Sequence, residues 1–297
     1  MSDEAGSSRR AFLSALPTGA LGGCSGAFGG ADAVSIVVAG SLNNAVETGL
    51  RPAVDARLQP RAHGSAEAAR LVDGGQIAPD IVSLADDALF DTLLSADWVA
   101  EFATNALVVV YNAETATGER LAGGTPWYEV LQDDGVSLGR TDPDMDPLGY
   151  RTLFCLELAT AHYGTDEELR ETIPQTDQLF PETQLVSQFE TGGIDAAIAY
   201  RNMAEERGYD YVELPAEINL GAPAFADRYA AASYELPDGT VVSGDVISYG
   251  STIRRGSPTV RDVFETHVSG DYLTEFGFTV PDNYPRYTGN VPATIAN

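Results

Sequence analysis

An apolar run leads directly into a serine-bearing turn in residues 34–42, which read VSIVVAGSL. An apolar strand pattern followed by a helical pattern recurs at residues 80–94, and a further apolar strand pattern lies at residues 107–111. Alternation of this kind is typical of parallel strands joined by right-handed crossovers. The chain is therefore predicted to have an α/β fold.

A second α/β unit follows the first. Its strand patterns are residues 136–138, 196–200 and 211–214, and its helices are predicted at residues 149–163 and around residues 183–190. Residues 224–297 hold too few elements for a third unit, so we expect them to return and complete the first. The predicted organisation is an N-terminal segment of residues 1–33, a first lobe of residues 34–112 plus 224–297, and a second lobe of residues 113–223.

The composition is strongly acidic. The 297 residues include 17 basic and 44 acidic side chains, which give a formal net charge of -27. Such a field repels nucleic acids and anionic membrane surfaces, so a nucleic-acid partner is excluded. Every basic residue is arginine, which excludes mechanisms that need a lysine amine. The bias resembles that of proteins from salt-loving archaea, because charge repulsion at molar salt is screened over about 3 Å.

The N-terminus contains two export signals in order. Arg9 and Arg10 precede an apolar run, as in a twin-arginine motif, and residues 21–24, LGGC, resemble a lipobox. The apolar run is short and interrupted by Pro17, so it cannot span about 30 Å of hydrocarbon as a helix. We expect twin-arginine export, lipidation at Cys24, and anchoring by lipid alone at the extracellular face of the cell membrane. The other cysteine, Cys155, is predicted to be a buried core residue.

Two serines open predicted helices directly after strand patterns. They are Ser41 and Ser65, each preceded by a glycine. Free N–H groups and the positive end of a helix dipole meet at such turns and form a site for an anion. Serine is also a good helix N-cap, which is the simpler interpretation of either position alone.

Two carboxylates stand out in the second half of the chain. Asp146 belongs to the acidic run of residues 141–151, TDPDMDPLGYR, just before a predicted helix, and Glu217 lies in the apolar loop LPAEINLG. Taken separately, the first segment reads as a rigid acidic helix start and the second as an exposed acid.

In combination and in order, these segments resemble the archaeal tungstate/molybdate-binding proteins of ABC importers. The resemblance is carried by residues 40–42 (GSL), 64–65 (GS), 78–82 (APDIV), 102–105 (FATN), 139–143 (GRTDP), 146–151 (DPLGYR) and 214–221 (LPAEINLG). It implies the two-lobed class II periplasmic-binding-protein fold, with a mostly parallel sheet flanked by helices in each lobe and the oxyanion bound between them.

The resemblance also implies a binding site and partners. Ser41 and Ser65 of the first lobe, and Asp146 and Glu217 of the second, would hold the oxyanion, together with Tyr229, or with Tyr234 if one residue is inserted. Asp146 and Glu217 would bond the molybdenum or tungsten atom itself. The protein would be a noncatalytic monomer without a cofactor, which delivers its ligand to a membrane permease and its ATPase.

Two other functions fit parts of the pattern. Asp146 and Glu217 could act as the acid and base of a secreted hydrolase, although the sequence has no Gly-x-Ser-x-Gly motif and no triad spacing. A receptor for sulfate or phosphate would share the serines. The carboxylate pair disfavours that receptor, since each carboxylate 4 Å from a dianion would cost roughly 8 kcal/mol at an effective dielectric near 20.

Overall fold

The computed structural model describes residues 32–173 and 179–295, so the predicted export signals and Cys24 lie outside the described residues. The strands are β1 Ala33–Ala39, β2 Arg57–His63, β3 Ile81–Leu84, β4 Trp98–Thr104, β5 Leu107–Tyr111, β6 Leu138–Thr141, β7 Leu179–Phe180, β8 Ala196–Tyr200, β9 Tyr211–Glu213, β10 Ser233–Glu235, β11 Val241–Ser243, β12 Ser248–Ile253 and β13 Arg286–Gly289.

The helices alternate with the strands over most of the chain. They are α1 Asn43–Ala45, α2 Arg51–Ala53, α3 Ser65–Asp73, α4 Ala88–Thr92, α5 Ala116–Ala122, α6 Trp127–Leu131, α7 Pro147–Tyr163, α8 Leu169–Thr172, α9 Glu182–Glu190, α10 Arg201–Glu205, α11 Ala226–Tyr229 and α12 Pro258–Ser269. Across the described residues, none of the helices is long and apolar enough to cross a bilayer.

The first sheet has the strand order β13-β4-β12-β3-β1-β2. The apolar run quoted from residues 34–42 forms β1, which pairs in parallel with β2 and β3. The strands of the C-terminal part run in the opposite sense, because β12 is antiparallel to β3 and β4, and β13 is antiparallel to β4. The α/β class is confirmed, but this sheet is mixed and not mostly parallel.

The second sheet has the order β7-β6-β8-β5-β9. Strand β6 is parallel to β7 and β8, whereas β5 is antiparallel to β8 and β9. The sequence analysis assigned residues 107–111 to the first lobe, but they form β5 of this sheet. The chain therefore passes between the sheets at Asn105 and Ala106, where β4 ends and β5 has not begun.

The return connection lies beside that first crossing. The Ile247 N–H donates to the Leu220 carbonyl at 2.8 Å, and the Asn105 N–H donates to the Ile247 carbonyl at 3.1 Å. The Asn105 side-chain amide also donates to Asn202 Oδ1 at 2.8 Å. Two adjacent hydrogen-bonded connections of this kind are a suitable hinge between two sheets that move as rigid bodies.

Cys155 is buried in the middle of α7, as predicted. Burial raises the pKa of its thiol to about 12, so the thiolate form is not populated near neutral pH.

His267 is a second buried titratable residue, and it makes stability depend on pH. Its Nε2 lies 2.8 Å from Ser83 Oγ and its Nδ1 lies 2.7 Å from the Tyr272 hydroxyl. Burial lowers the pKa of His267 from 6.5 to about 3. Between these two pKa values His267 is protonated in the unfolded chain but neutral in the folded chain. The free energy of unfolding should therefore fall as the pH drops from 6.5 towards 3.

The measurement is denaturant unfolding of wild type and His267→Gln at several pH values in constant molar salt. We expect the free energy of unfolding to fall less steeply with acid in the variant than in wild type. Equal slopes in the two proteins would contradict a role for His267 in acid sensitivity.

Candidate functional site

Ser41 and Ser65 lie at the carboxyl ends of the adjacent parallel strands β1 and β2. Ser41 sits in a 3-10 turn that follows β1 directly, and Ser65 is the first residue of α3. Both side chains are buried. Ser65 Oγ accepts from the Ala85 N–H at 3.0 Å, which leaves the hydroxyl proton of Ser65 available to an anion.

Asp146 is the N-cap of α7 and is 2% exposed. Its Oδ1 accepts from the Leu148 N–H at 2.7 Å and lies 3.5 Å from the Thr141 hydroxyl. Its Oδ2 is buried and has no hydrogen-bond partner among the described residues. Burial raises the pKa of Asp146 to about 6, because nearby donors only partly offset the loss of water.

Glu182, the first residue of α9, is the site carboxylate that the sequence analysis missed. It is 3% exposed and accepts hydrogen bonds from the backbone and side chain of Ser41. Its carboxyl group lies within hydrogen-bonding reach of that of Asp146. Burial and the neighbouring Asp146 charge both raise the pKa of Glu182 well above its usual value. A pair of buried carboxylates in contact holds one proton between them.

Two glycines of the first lobe allow this close approach. A Cβ atom on Gly40 would lie 2.5 Å from Glu182 Oε2, and one on Gly64 would lie 2.5 Å from the Met145 carbonyl oxygen and 3.2 Å from Asp146 Oδ2. The absence of a side chain at each position lets a carboxylate of the second lobe reach a strand end of the first.

A cleft of about 270 Å³ opens onto the two carboxylates. Its first-lobe wall includes His63 and Gly64, and its second-lobe wall includes Asp146, Phe180 and Glu182. The cleft thus lies at the carboxyl end of a parallel strand, where ligands of open α/β sheets bind.

A buried arginine borders the same site. Arg151 Nη1 donates to the Tyr200 hydroxyl at 2.9 Å and to the Ala85 carbonyl oxygen, and Arg151 Nη2 lies 3.5 Å from Asp86 Oδ2. Tyr200 ends β8 and is fully buried, and the charges of Asp146 and Glu182 raise its pKa further beyond the effect of burial. Tyr200 is therefore the tyrosine that lies near both carboxylates.

Three residues predicted for the site lie elsewhere. Glu217 acts electrostatically on Tyr163 and Tyr229, and the structure gives it no interaction with Asp146. The Tyr229 hydroxyl donates to the Ala216 carbonyl and accepts from the Ala222 N–H at 3.3 Å, so it holds the loop around Glu217. The Tyr234 hydroxyl donates to Asp144 Oδ1 at 2.7 Å. Of the predicted set, the structure brings together Ser41, Ser65 and Asp146.

The sequence contains a signal for the two residues that were missed. Glu182 follows Pro181 at the start of a helix that itself follows β7, which is the strand-to-helix pattern that pointed to the serines. Tyr200 is the last residue of an apolar strand, and so lies at the same edge of its sheet as Asp146 and Glu182.

The two-sheet fold and the cleft between the strand ends define a solute-binding protein. Residues 37–237 match the family described as bacterial extracellular solute-binding protein, and the chain belongs to this family.

Two relatives carry names that are more specific than the family description. A Haloferax volcanii protein, named provisionally as a molybdenum-binding protein of an ABC transporter, is 51% identical over 296 residues, or 97% of each chain. The molybdate/tungstate-binding protein WtpA of Pyrococcus abyssi is 31% identical over 229 residues, which cover 67% of this chain and 66% of that relative.

Solved structures share the fold at low sequence identity. The periplasmic molybdate-binding protein of Azotobacter vinelandii matches with a TM-score of 0.57 and 11% identity, over 84% of this chain and all of that chain. The sulfate-binding protein SubI of Mycobacterium tuberculosis matches with a TM-score of 0.56 and 13% identity, over 85% of this chain and 88% of that chain. The two-lobed fold that these neighbours share is the one predicted from the sequence.

Proposed function

We propose that this chain is the substrate-binding component of an ABC importer and that it captures molybdate or tungstate between its two lobes. The observation that carries the proposal is a pair of buried carboxylate oxygens, Asp146 Oδ2 and Glu182 Oε1, that have no hydrogen-bond donor among the described residues. They lie beside Ser41 and, through Gly64, beside Ser65. The names of the relatives from Haloferax and Pyrococcus agree with this ligand class.

The chemistry of the carboxylate pair explains the choice of ligand. Carboxylates repel a dianion by roughly 8 kcal/mol each at 4 Å and an effective dielectric near 20, so sulfate is disfavoured. Hexavalent molybdenum or tungsten has empty d orbitals and accepts further oxygen donors, whereas the sulfur of sulfate does not. Bonds from Asp146 and Glu182 to the metal would raise its coordination from four to six and turn repulsion into selectivity.

Each residue of the site then has a distinct role. Ser65 and Tyr200 would donate hydrogen bonds to the oxyanion oxygens, Ser41 would do so once its hydroxyl proton is released from Glu182, and Asp146 and Glu182 would bond the metal atom. Glu182 takes the role that the sequence analysis gave to Glu217, because only Glu182 is in contact with Asp146. The oxyanion is the cargo of the protein and not a resident cofactor.

Calorimetric titration of the purified protein in molar KCl tests this function. We expect tungstate and molybdate to bind with a stoichiometry of one and sulfate to bind much more weakly. Sulfate binding as tight as that of tungstate would favour the general oxyanion receptor. A hydrolase role has less support, because Glu217 has no interaction with its predicted partner Asp146.

Gly64 offers a test of the close approach between the lobes. An alanine methyl group would overlap the Met145 carbonyl of the second lobe, whose oxygen accepts from the Glu67 N–H at 3.1 Å. We expect Gly64→Ala to weaken tungstate binding about tenfold, since overpacking costs typically 1–3 kcal/mol. Gly135→Ala is the matched control, because a Cβ on Gly135 meets no atom within 4 Å. Equal losses in both variants would exclude a specific role for Gly64.

The delivery pathway completes the proposal. We infer a monomeric, noncatalytic protein that is exported by its Arg9-Arg10 signal, lipidated at Cys24 and held at the extracellular face of the membrane, where it passes the oxyanion to a permease and its ATPase.

Replacing Cys24 tests the anchor. Cys24→Ala is expected to release the protein into the medium, because stable attachment then lacks the lipid. The measurement is fractionation of cells and medium with an antibody against the protein, and Cys155→Ala is the control that keeps the lipidation site. A Cys24→Ala protein that still sediments with membranes would contradict lipid anchoring.

A further inference from the structure

Arg151 is a buried arginine of the second lobe that contacts the first lobe. It lies in the second turn of α7, five residues after Asp146. Its guanidinium donates to the Ala85 carbonyl and lies 3.5 Å from Asp86 Oδ2, both in the connection that follows β3 of the first sheet. Asp86 and Arg151 are both buried. An ion pair removed from water in this way resists breaking more than a surface pair does, because each partner would be left as an unpaired buried charge.

The neighbouring residue of α7 contacts the same carboxylate. The Tyr150 hydroxyl donates to Asp86 Oδ2, and the Ala88 N–H donates to Asp86 Oδ1 at 3.1 Å. Two adjacent side chains of the second lobe therefore converge on one acid of the first. Other hydrogen bonds between the lobes include a buried one from Asn202 Nδ2 to the Ser41 carbonyl at 3.0 Å and a part-buried one from Arg70 Nη1 to the Asp144 carbonyl at 2.7 Å. The Arg151 contact differs from both because it is an ion pair between two buried side chains.

Arg151 also touches the oxyanion site from both lobes. Ala85, whose carbonyl oxygen accepts from Arg151, also donates its backbone N–H to Ser65 Oγ. On the other side, Arg151 donates to the Tyr200 hydroxyl oxygen at 2.9 Å. Because arginine can only donate, the proton of the Tyr200 hydroxyl has to point to a different acceptor. The hydroxyl oxygens of Tyr200 and Ser65 therefore each accept a hydrogen bond, from Arg151 and from Ala85, and each hydroxyl keeps its proton for another acceptor.

We propose that Arg151 is a positioning residue that links closing of the two lobes to oxyanion binding, by holding Asp86 and Ala85 of the first lobe and Tyr200 of the second in one buried network. The ligand assignment in this inference rests on the proposed function, but the link between the lobes does not. When the lobes separate, Arg151 loses Asp86 and Ala85 at the same time as Ser65 and Tyr200 move apart. Binding and closing are therefore coupled through one side chain.

The test compares Arg151→Met with wild type and with Arg170→Met. Arg170 is the control because its ion pair, at 2.5 Å with Glu157 of α7, is partly exposed and lies within the second lobe, and its further bond to the Ser233 carbonyl at 3.1 Å is exposed. We expect Arg151→Met to bind tungstate about a hundredfold more weakly and to show a larger radius of gyration in X-ray scattering with tungstate present. Arg170→Met should resemble wild type in both measurements.

A double-mutant cycle separates this role from a general loss of stability. Asp86→Asn keeps an oxygen for the Tyr150 hydroxyl but removes the charge. If the two residues act as one link, the double variant Asp86→Asn/Arg151→Met should bind tungstate no more weakly than Arg151→Met alone, whereas independent defects would add. If Arg151→Met fails to fold, Asp86→Asn alone tests the proposal. This variant should bind tungstate more weakly than wild type and should become less compact than wild type when tungstate is present.

Three results would overturn the proposal: wild-type affinity in Arg151→Met, additive losses in the cycle, or weaker binding with unchanged scattering. Failure of the proposed function looks different. In that case wild type would bind none of tungstate, molybdate and sulfate, while Arg151→Met without ligand would still scatter as a more open particle than wild type.

Discussion

Glu182→Gln is expected to lower the affinity for tungstate by more than about a hundredfold, or roughly 3 kcal/mol, whereas Glu217→Gln should leave it near the wild-type value. If only long-range electrostatics mattered, removing a negative charge that faces a dianion would strengthen binding. The opposite sign is expected because an amide oxygen is a poor ligand for a hexavalent metal. Asp146→Asn should behave like Glu182→Gln, since both acids present a donor-free buried oxygen.

The pair Glu182→Gln and Glu217→Gln makes the same chemical change at two positions. Calorimetry with tungstate and with sulfate provides the measurement, and sulfate binding should be unchanged or slightly stronger in Glu182→Gln. X-ray absorption of the tungsten complex gives an independent readout, because six oxygen neighbours differ clearly from four. Tighter tungstate binding in Glu182→Gln, or a four-coordinate spectrum, would reduce the site to one that binds anions by hydrogen bonds alone.

The second large effect concerns salt. We expect the melting temperature to rise strongly between dilute buffer and molar KCl, because the 44 acidic side chains, offset by only 17 basic ones, repel one another at low ionic strength. Several of the arginines already pair with acids at the surface, among them Arg51 with Glu47 and Arg201 with Glu213. Because these arginines are already paired, few basic side chains remain to offset the excess of carboxylates.

Calorimetric melting in a KCl series measures this effect, and a series in sucrose is the control. Sucrose stabilises by exclusion from the surface without screening charge, so it should raise the melting temperature less than KCl does. A melting temperature that does not change with KCl would contradict the interpretation of the composition.

The site shows which parts of a binding centre local patterns can predict. Ser41 and Ser65 were singled out because each follows a strand pattern and opens a helical turn, and the structure places them at the same ends of the adjacent parallel strands β1 and β2. Asp146 was predicted from the family resemblance, since its place before α7 alone indicates only an acidic helix start, and it caps that helix with Oδ1 and leaves Oδ2 towards the first lobe. In each case the same position of the side chain serves its local role at the start of a helix and its role in the site.

Glu182 could not be chosen over Glu217 by the same reasoning. Both are single acids near the end of a strand, and the difference between them depends on strand order. Strand β7, which leads to Glu182, is a neighbour of β6, which leads to Asp146, whereas β9, before Glu217, lies at the opposite edge of the sheet. Strand order arises from long-range packing, which a local pattern does not contain. For the same reason the assignment of β5 to the first lobe was wrong.

Helix α7 carries Asp146 at its N-terminus and Arg151 within its next turn, on one continuous element from Pro147 to Tyr163. A helix with a fully buried first half tilts as a unit, so any change in its packing shifts Asp146 and Arg151 together. The consequence concerns how the protein can be redesigned. Under the proposed function, substitutions in this helix that retune which oxyanion fits should also change how long the cargo stays bound, and a variant with altered preference but an unaltered residence time should be sought outside this helix.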